Sequence, residues 1–485
     1  MPIKFGTDGW RAVISDEFTF ANLRQVAQAV ADVLAQQLGR PPIVVVGYDT
    51  RFLSDRYAAE VANVLAANGA AVALSRGDCP TPALSHAVQA RGADAGVMIT
   101  ASHNPPRYNG FKLKGPDGGS ARAAVTREVE ACLLRNRETG REPRLTSWRM
   151  EDGDLPAGEG HGTIERFDPL PGYLAHLRTL VDFEAIARAR PRVVIDPMYG
   201  AGRGYIHTFL REMGCESLEI RGELNPGFGG IYPEPIERNL RALVETVRSG
   251  SYDLGLATDG DADRIGAVDG RGGFVDPHRI FTLALQYLLE VRGWRGSVVK
   301  TVSTTQHVDR LCERYGLPLH ETPVGFNHIC DWIAREDVLM GGEESGGMTI
   351  RGHIPEGDGL LMGMLLLEIV AVRGRQLHEL VADLMAQLGP VHYGRDDRQT
   401  RPFDKAELVQ HLTANAPAQI AGLPVSRVDS LDGIKYYFGD RGWLLIRPSG
   451  TEPLLRVYAE AREAEAVSSL LAAGAALAER WVGRS

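Results

Sequence analysis

Three times along this chain an apolar run is followed by a loop, an amphipathic helical stretch, a glycine and a second short apolar run. The first copy opens with Ile43-Val44-Val45-Val46-Gly47, continues as a helix over 56–68, stops at Gly69 and resumes as strand over 71–74. The second opens at Arg192-Val193-Val194-Ile195-Asp196, with a helix over 204–213, Gly214, and strand over 218–220. The third opens at Ser297-Val298-Val299-Lys300, with a helix over 305–315, Gly316, and strand over 317–319. Glycine closes each helix because the exit residue takes a left-handed conformation. A strand that is followed by a helix before the next strand pairs in parallel, with the helix laid over the sheet. Repetition of such a unit is read before anything else, because it dictates the whole architecture.

The chain is therefore predicted to be α/β, with three similar mixed α/β domains in series over residues 1–150, 151–256 and 257–388. The polar, Gly- and Pro-containing stretch 138–161 is expected to connect the first two domains. After Gly389 the pattern changes. A charged run (392–401), a modest helix (405–415), two strands around a tight loop (443–459) and an alanine-rich helix (463–481) predict a smaller α+β domain over 389–485.

A length of 485 residues suits three or four domains. The net charge of -9 and pI near 5.9 argue against a nucleic-acid footprint. Five scattered cysteines with no C-x-x-C pair fit reduced thiols and a cytoplasmic protein. The N-terminal residues lack a signal-peptide core. The longest apolar stretch, 360–372, is broken by Glu368 and is too short to span a bilayer.

Four loops carry chemistry. Thr100-Ala101-Ser102-His103-Asn104-Pro105 leaves the mouth of an apolar strand at 95–99, and Pro105-Pro106 forbids a helix beyond it. A serine there is a nucleophile if a base, a metal or neutralising charge activates it, and a polar turn otherwise. Lys112 follows ten residues on. Asp259, Asp261 and Asp263, spaced i, i+2, i+4 in non-helical chain after another apolar strand, can converge on a hard cation such as Mg²⁺ or Ca²⁺. An EF-hand is excluded, because its sixth and twelfth positions fall on Arg264 and Gly270. Glu343 and Ser345, in Gly341-Gly342-Glu343-Glu344-Ser345-Gly346-Gly347, suit the hydroxyls of a sugar or a solvated loop. Arg447, Ser449, Gly450 and Thr451 offer a forked cation, hydroxyls and backbone N–H groups to an oxyanion, in what is otherwise a hairpin turn.

With the Gly-rich stretch Phe5-Gly6-Thr7-Asp8-Gly9-Trp10-Arg11, these loops taken together resemble the α-D-phosphohexomutase family of phosphoglucomutases and phosphomannomutases, in the expected order from Gly6 to Arg456. The resemblance implies four domains around a central cleft, each contributing one loop. It implies that Ser102 carries a phosphoryl group and that Asp259, Asp261 and Asp263 hold Mg²⁺, with the phosphoserine as a further ligand. It implies that Glu343 and Ser345 contact sugar hydroxyls, and that Arg447, Ser449, Gly450 and Thr451 grip the non-reacting phosphate. Arg11, His103 and Lys112 match charged residues around the reacting phosphoryl group, Lys112 as general acid/base, and Arg264 completes the metal-loop motif. The expected activity is interconversion of hexose 1-phosphate and hexose 6-phosphate, glucose foremost, with a hexose 1,6-bisphosphate as activator. Phosphomannomutase or dual specificity is the alternative, ahead of phosphoglucosamine mutase, a metal-dependent phosphatase or an inactive sugar-phosphate-binding relative. The expected partners are small sugar phosphates, with no nucleic acid and no membrane. Phosphoglucosamine mutases usually place Gln at the position of Glu344.

Two positions depart from the pattern. Gly347 stands where some phosphomannomutases have histidine, with His353 six residues later as a possible imidazole source. Asn327 stands where many relatives have lysine, beside His328.

Overall fold

A computed structural model of the chain describes residues 3–6, 8–401, 403–449 and 454–479. The three repeats are present as three mixed sheets. Strand Ile43–Tyr48 pairs in parallel with Ala71–Ser75 across the helix Ser54–Ala67. Val193–Asp196 pairs with Ser217–Glu219 across Tyr205–Glu212. Ser297–Thr301 pairs with Leu319–Thr322 across Gln306–Tyr315. Each opening strand is buried on both faces, which is why it reads as an unbroken apolar run rather than an alternating one.

On its other side each opening strand pairs in parallel with a second strand: Ala95–Ile99, Leu254–Thr258 and Val338–Gly342. That strand turns back through an antiparallel hairpin into Tyr108–Lys114, Ile265–Asp269 and Met348–Ile350 respectively. The turns of the three hairpins are 100–107, 259–264 and 343–347, so the serine, metal and sugar loops occupy the same place in three copies of one unit.

This corrects two expected boundaries. A border at 256/257 cuts the Leu254–Thr258 strand, whose pairing with Ile265–Asp269 continues the second sheet to Val275. The metal loop thus belongs to the second unit and only the sugar loop to the third. A border at 150 cuts the first unit short, because Thr163–Phe167 adds a sixth strand to its sheet. The fourth unit is a five-stranded antiparallel sheet covered by the helices Lys405–Ala414 and Ala464–Leu477. The apolar stretch around Glu368 is the helix Gly359–Arg373, buried at the centre of the molecule. Its Glu368 is paired with Arg292 and accepts a hydrogen bond from Tyr287. Among the described residues no helix is long and apolar enough to cross a membrane. All five cysteines are buried and unpaired with one another.

Candidate active site

The serine loop is held from below by a residue outside the motif. Arg51 is fully buried, and its guanidinium donates to the carbonyls of Ser102 (2.6 Å), Asn104 (2.6 Å), Pro105 (2.9 Å) and Tyr108 (3.0 Å). Asp49 anchors that guanidinium at 3.2 Å and accepts from the Thr100 hydroxyl at 2.6 Å. Thr100 in turn accepts the Ser102 N–H at 2.8 Å. This scaffold keeps Ser102 at φ 50°, in the left-handed region that a non-glycine residue enters only when its surroundings impose it. The only trace of it in the sequence is a second polar cluster, Asp49-Thr50-Arg51, at the mouth of an apolar strand.

The Ser102 hydroxyl is buried and donates to Asp259 Oδ2 at 2.8 Å. His103 Nδ1 stands farther from it, at 3.4 Å. Burial and the cations Arg264 and Arg11 hold His103 well below the ordinary imidazole range, so it is neutral at pH 7. Gly260 lets the two loops meet, because a Cβ there would lie 2.4 Å from the Ser102 carbonyl oxygen.

Asp259, Asp261 and Asp263 are buried, with one oxygen from each lying within 4.8 Å of the others. Lys112 Nζ lies 2.9 Å from an oxygen of Asp261 and 2.9 Å from one of Asp263, while the second oxygen of each is buried without a hydrogen-bond partner. Three clustered carboxylates with two unpartnered oxygens are the donor set a hard dication takes, so the residues fit Mg²⁺. Burial, then the neighbouring Asp263 and Asp261, push Asp259 well above the usual carboxylate range. Burial would also raise Asp261, but the Lys112 ammonium and the Thr81 hydroxyl outweigh it and hold Asp261 below that range.

Lys112 is buried and also pairs with Asp8 at 2.7 Å. Desolvation would favour its neutral form, yet Asp261, Asp263 and Asp8 keep it an ammonium. Arg11 donates to Asn104 Oδ1 at 2.9 Å and to Asp8 Oδ2 at 3.0 Å. Asp8 therefore ties two expected site cations together, a role the motif did not disclose.

The sugar loop is stitched to the metal loop by backbone. Ile265 N–H donates to Gly346 C=O, and beyond the sugar loop Gly359 N–H, at the start of the helix Gly359–Arg373, donates to Ala262 C=O. Arg264 lies between them, 3.8 Å from Asp263 and 4.0 Å from Glu234. Glu343 accepts the Gly325 N–H at 2.9 Å, and burial, with Glu344 next to it, pushes its carboxyl up to about 7. Ser345, beside it, is half-buried. Glu344 points elsewhere, accepting from Ser303 Oγ at 2.6 Å.

In the fourth unit Arg447 is buried and donates to Asp432 at 2.6 Å, and Ser449 is buried at the start of the loop. Gly450 and Thr451 lie outside the described residues. His353 is not at the sugar loop's open side. Its Nε2 is 2.9 Å from Asp358 and its Nδ1 is 3.0 Å from His176 Nε2. The rings of His86, His176 and His353 stack in a column, with centroids 5.0 and 5.2 Å apart. Tyr173 donates to the same Asp358 at 2.7 Å.

Four family models match in order: Phosphoglucomutase/phosphomannomutase alpha/beta/alpha domain I over residues 2–140, domain II over 171–272, domain III over 276–388, and the C-terminal domain over 404–477. The phosphoglucomutase/phosphomannomutase of Thermococcus kodakarensis is 32% identical over 475 residues, covering 98% of each chain. A protein of Methanothermobacter thermautotrophicus named as a phosphoglucosamine mutase is also 32% identical, covering 96% of this chain and 95% of its own. The crystal structure of a Thermus thermophilus protein carrying the phosphomannomutase name superposes with a TM-score of 0.85 at 36% identity, over 99% of both chains.

Proposed function

Because this chain belongs to the phosphoglucomutase/phosphomannomutase family of isomerase-type phosphotransferases, we propose that it interconverts the 1- and 6-phosphates of a hexose, glucose foremost, through phosphorylated Ser102 and a hexose 1,6-bisphosphate. The observation that carries this reading is the buried Ser102 hydroxyl at 2.8 Å from Asp259, one of three clustered carboxylates of which the other two are paired with Lys112. An anion grip at Arg447 in a separate domain supplies the second requirement, because a mutase must hold the phosphate that is not reacting.

Asp259, Asp261 and Asp263 would hold Mg²⁺, which when bound supplies positive charge against the transferring phosphoryl group. Phosphoryl transfer is positioning plus charge stabilisation, so the chain's own share is to orient both partners and exclude water. Glu343 and Ser345 hold the sugar hydroxyls. Arg447, Ser449, Gly450 and Thr451 hold the distal phosphate. The free sugar hydroxyl takes the phosphoryl group from Ser102, breaking the serine O–P bond and forming the sugar O–P bond. The bisphosphate turns around, and its other phosphoryl group returns to Ser102. On the outward step the proton of the attacking sugar hydroxyl passes to the departing Ser102 oxygen; on the return Lys112, held as an ammonium, donates a proton to the departing sugar oxygen and is restored by the proton the Ser102 hydroxyl gives up as it attacks. His103 and Arg11 line the approach, and Arg264 steadies the metal loop.

Glucose and mannose differ at C2 and share the geometry at C3 and C4, so the sugar loop alone does not separate them. The deciding assay is initial rates with the 1-phosphates of glucose, mannose, glucosamine and ribose, each with a catalytic amount of its bisphosphate. Glucose 1-phosphate is expected to turn over fastest. A faster glucosamine or mannose substrate overturns the sugar assignment, and inorganic phosphate as the main product overturns the mutase reading.

A further inference from the structure

Two consecutive backbone N–H groups, of Val324 and Gly325, serve two carboxylates with separate duties. Gly325 donates to Glu343 Oε1 at 2.9 Å. Val324 donates to Asp432 Oδ2 at 2.9 Å, and that same oxygen accepts from Arg447 Nε at 2.6 Å. Gly325 sits at φ 139°, a conformation that glycine allows, and this lets adjacent N–H groups diverge toward the two acceptors. Asp432 belongs to the turn between Arg427–Asp429 and Ile434–Tyr437 of the fourth sheet, whereas 324–325 and Glu343 belong to the third unit. Hydrogen bonds from two adjacent residues, joined by one peptide link, therefore connect the carboxylate of the sugar loop to the guanidinium of the phosphate loop, across a domain border. Asn327, two residues beyond, brings no cation, and its Oδ1 is buried without a hydrogen-bond partner. In this chain the segment contributes backbone donors to the connection.

We propose that Asp432 is a positioning residue that couples sugar recognition to phosphate recognition, through Val324 and Gly325 on one side and Arg447 on the other. It holds the Nε edge of Arg447 within the fourth domain, and the Val324 N–H, arriving from the third domain, fixes the Asp432 carboxylate and so the direction of the fork when the two domains are docked. The charge on Asp432 matters here, because a charge-assisted hydrogen bond is about twice as strong as a neutral one.

The coupling rests on the mutase reading given above, and its test separates the two. Asp432→Asn preserves shape and removes charge. It is expected to raise KM for the hexose phosphate roughly tenfold to a hundredfold with a smaller change in kcat, and to release more free bisphosphate per turnover. Asp432→Glu should recover part of the loss. In the substrate-free protein, amide exchange at Val324 should accelerate in Asp432→Asn while exchange in the core strand 95–99 stays unchanged. Combined with Glu343→Gln, the KM effects should fall short of the product of the single effects, as they do for linked sites. Unchanged KM and bisphosphate release, or strictly multiplicative effects, overturn the coupling. Unchanged exchange at Val324 overturns it as well, even if the wild type proves to turn over no hexose phosphate, an outcome that by itself removes the mutase reading alone.

Discussion

Ser102 is a small hydroxyl whose value lies in where it is put, and the residues that put it there predict sharper effects than the serine itself. Ser102→Ala should abolish turnover by several orders of magnitude with little change in melting temperature, and intact mass should show one phosphate on the wild type and none on the variant. Gly260→Ala should fold, yet force the metal loop away from the Ser102 carbonyl. A misplacement of about 1 Å at a reacting centre costs roughly a hundredfold in rate. Calorimetric Mg²⁺ titration should show weaker binding alongside that loss, and unchanged affinity and rate would mean the two loops do not depend on each other. Arg51→Lys keeps the charge but not the fork that reaches four carbonyls. Unpaired buried carbonyls cost about 1–3 kcal/mol each, so a loss of ~2–4 kcal/mol in denaturant unfolding is expected. The motif residues are legible in the sequence because their types are unusual side by side. Arg51 is not, because it lies 51 residues before the first of the carbonyls it holds, and only the parallel pairing of 43–48 with 95–99 brings them together.

At the scale of the element, opening strands and helices announce themselves through apolar runs and exit glycines. The hairpin strand that follows each functional loop does not. Ile265–Asp269 is short and part polar, and nothing local says that it pairs back on Leu254–Thr258. That is why the sequence alone sets the metal loop one domain too late. The histidine column is equally hidden, since its members come from Thr81–Ala90, Leu170–Leu180 and the loop after Met348–Ile350. It carries a pH prediction. Burial, then His353 and His86, push His176 down to about 4, and burial lowers His86 as well. An unfolded imidazole titrates near ~6.5. As pH falls from about 6.5 toward 4 the unfolded chain accepts protons that His176 and His86 resist in the folded state. Stability is then lost across that window. Melting temperatures measured from pH 7 to 4.5 should fall, and His176→Gln should flatten the slope. An identical slope in the variant would exclude the column as its source.

Across the whole molecule, one apolar core runs from Val45 through Leu256 and Leu365 to Leu388 and joins the first three units, the first adds a cluster of its own from Ile3 to Ile164, and the fourth has a separate one from Leu408 to Ala478. The third and fourth units meet through a narrow patch of Val302, Tyr437, Trp443, Leu445 and Tyr458. Scanning calorimetry should accordingly resolve two transitions, and a fragment ending at Gly389 should retain the larger one. That fragment should still bind Mg²⁺ and have lost mutase activity; its failure to fold would show that the fourth unit is required by the rest. Ser102 and its cation site come from different sheets, and this has a consequence in time. A chain lengthens at ~5–20 residues per second, so Ser102 is joined to it roughly ten to thirty seconds before Asp263 exists to face it. On the proposed mechanism every new molecule is born unphosphorylated, and its first phosphoryl group must come from a donor it meets after the second unit has closed on the first. Freshly made protein should show a lag in a coupled assay that a pulse of hexose bisphosphate removes.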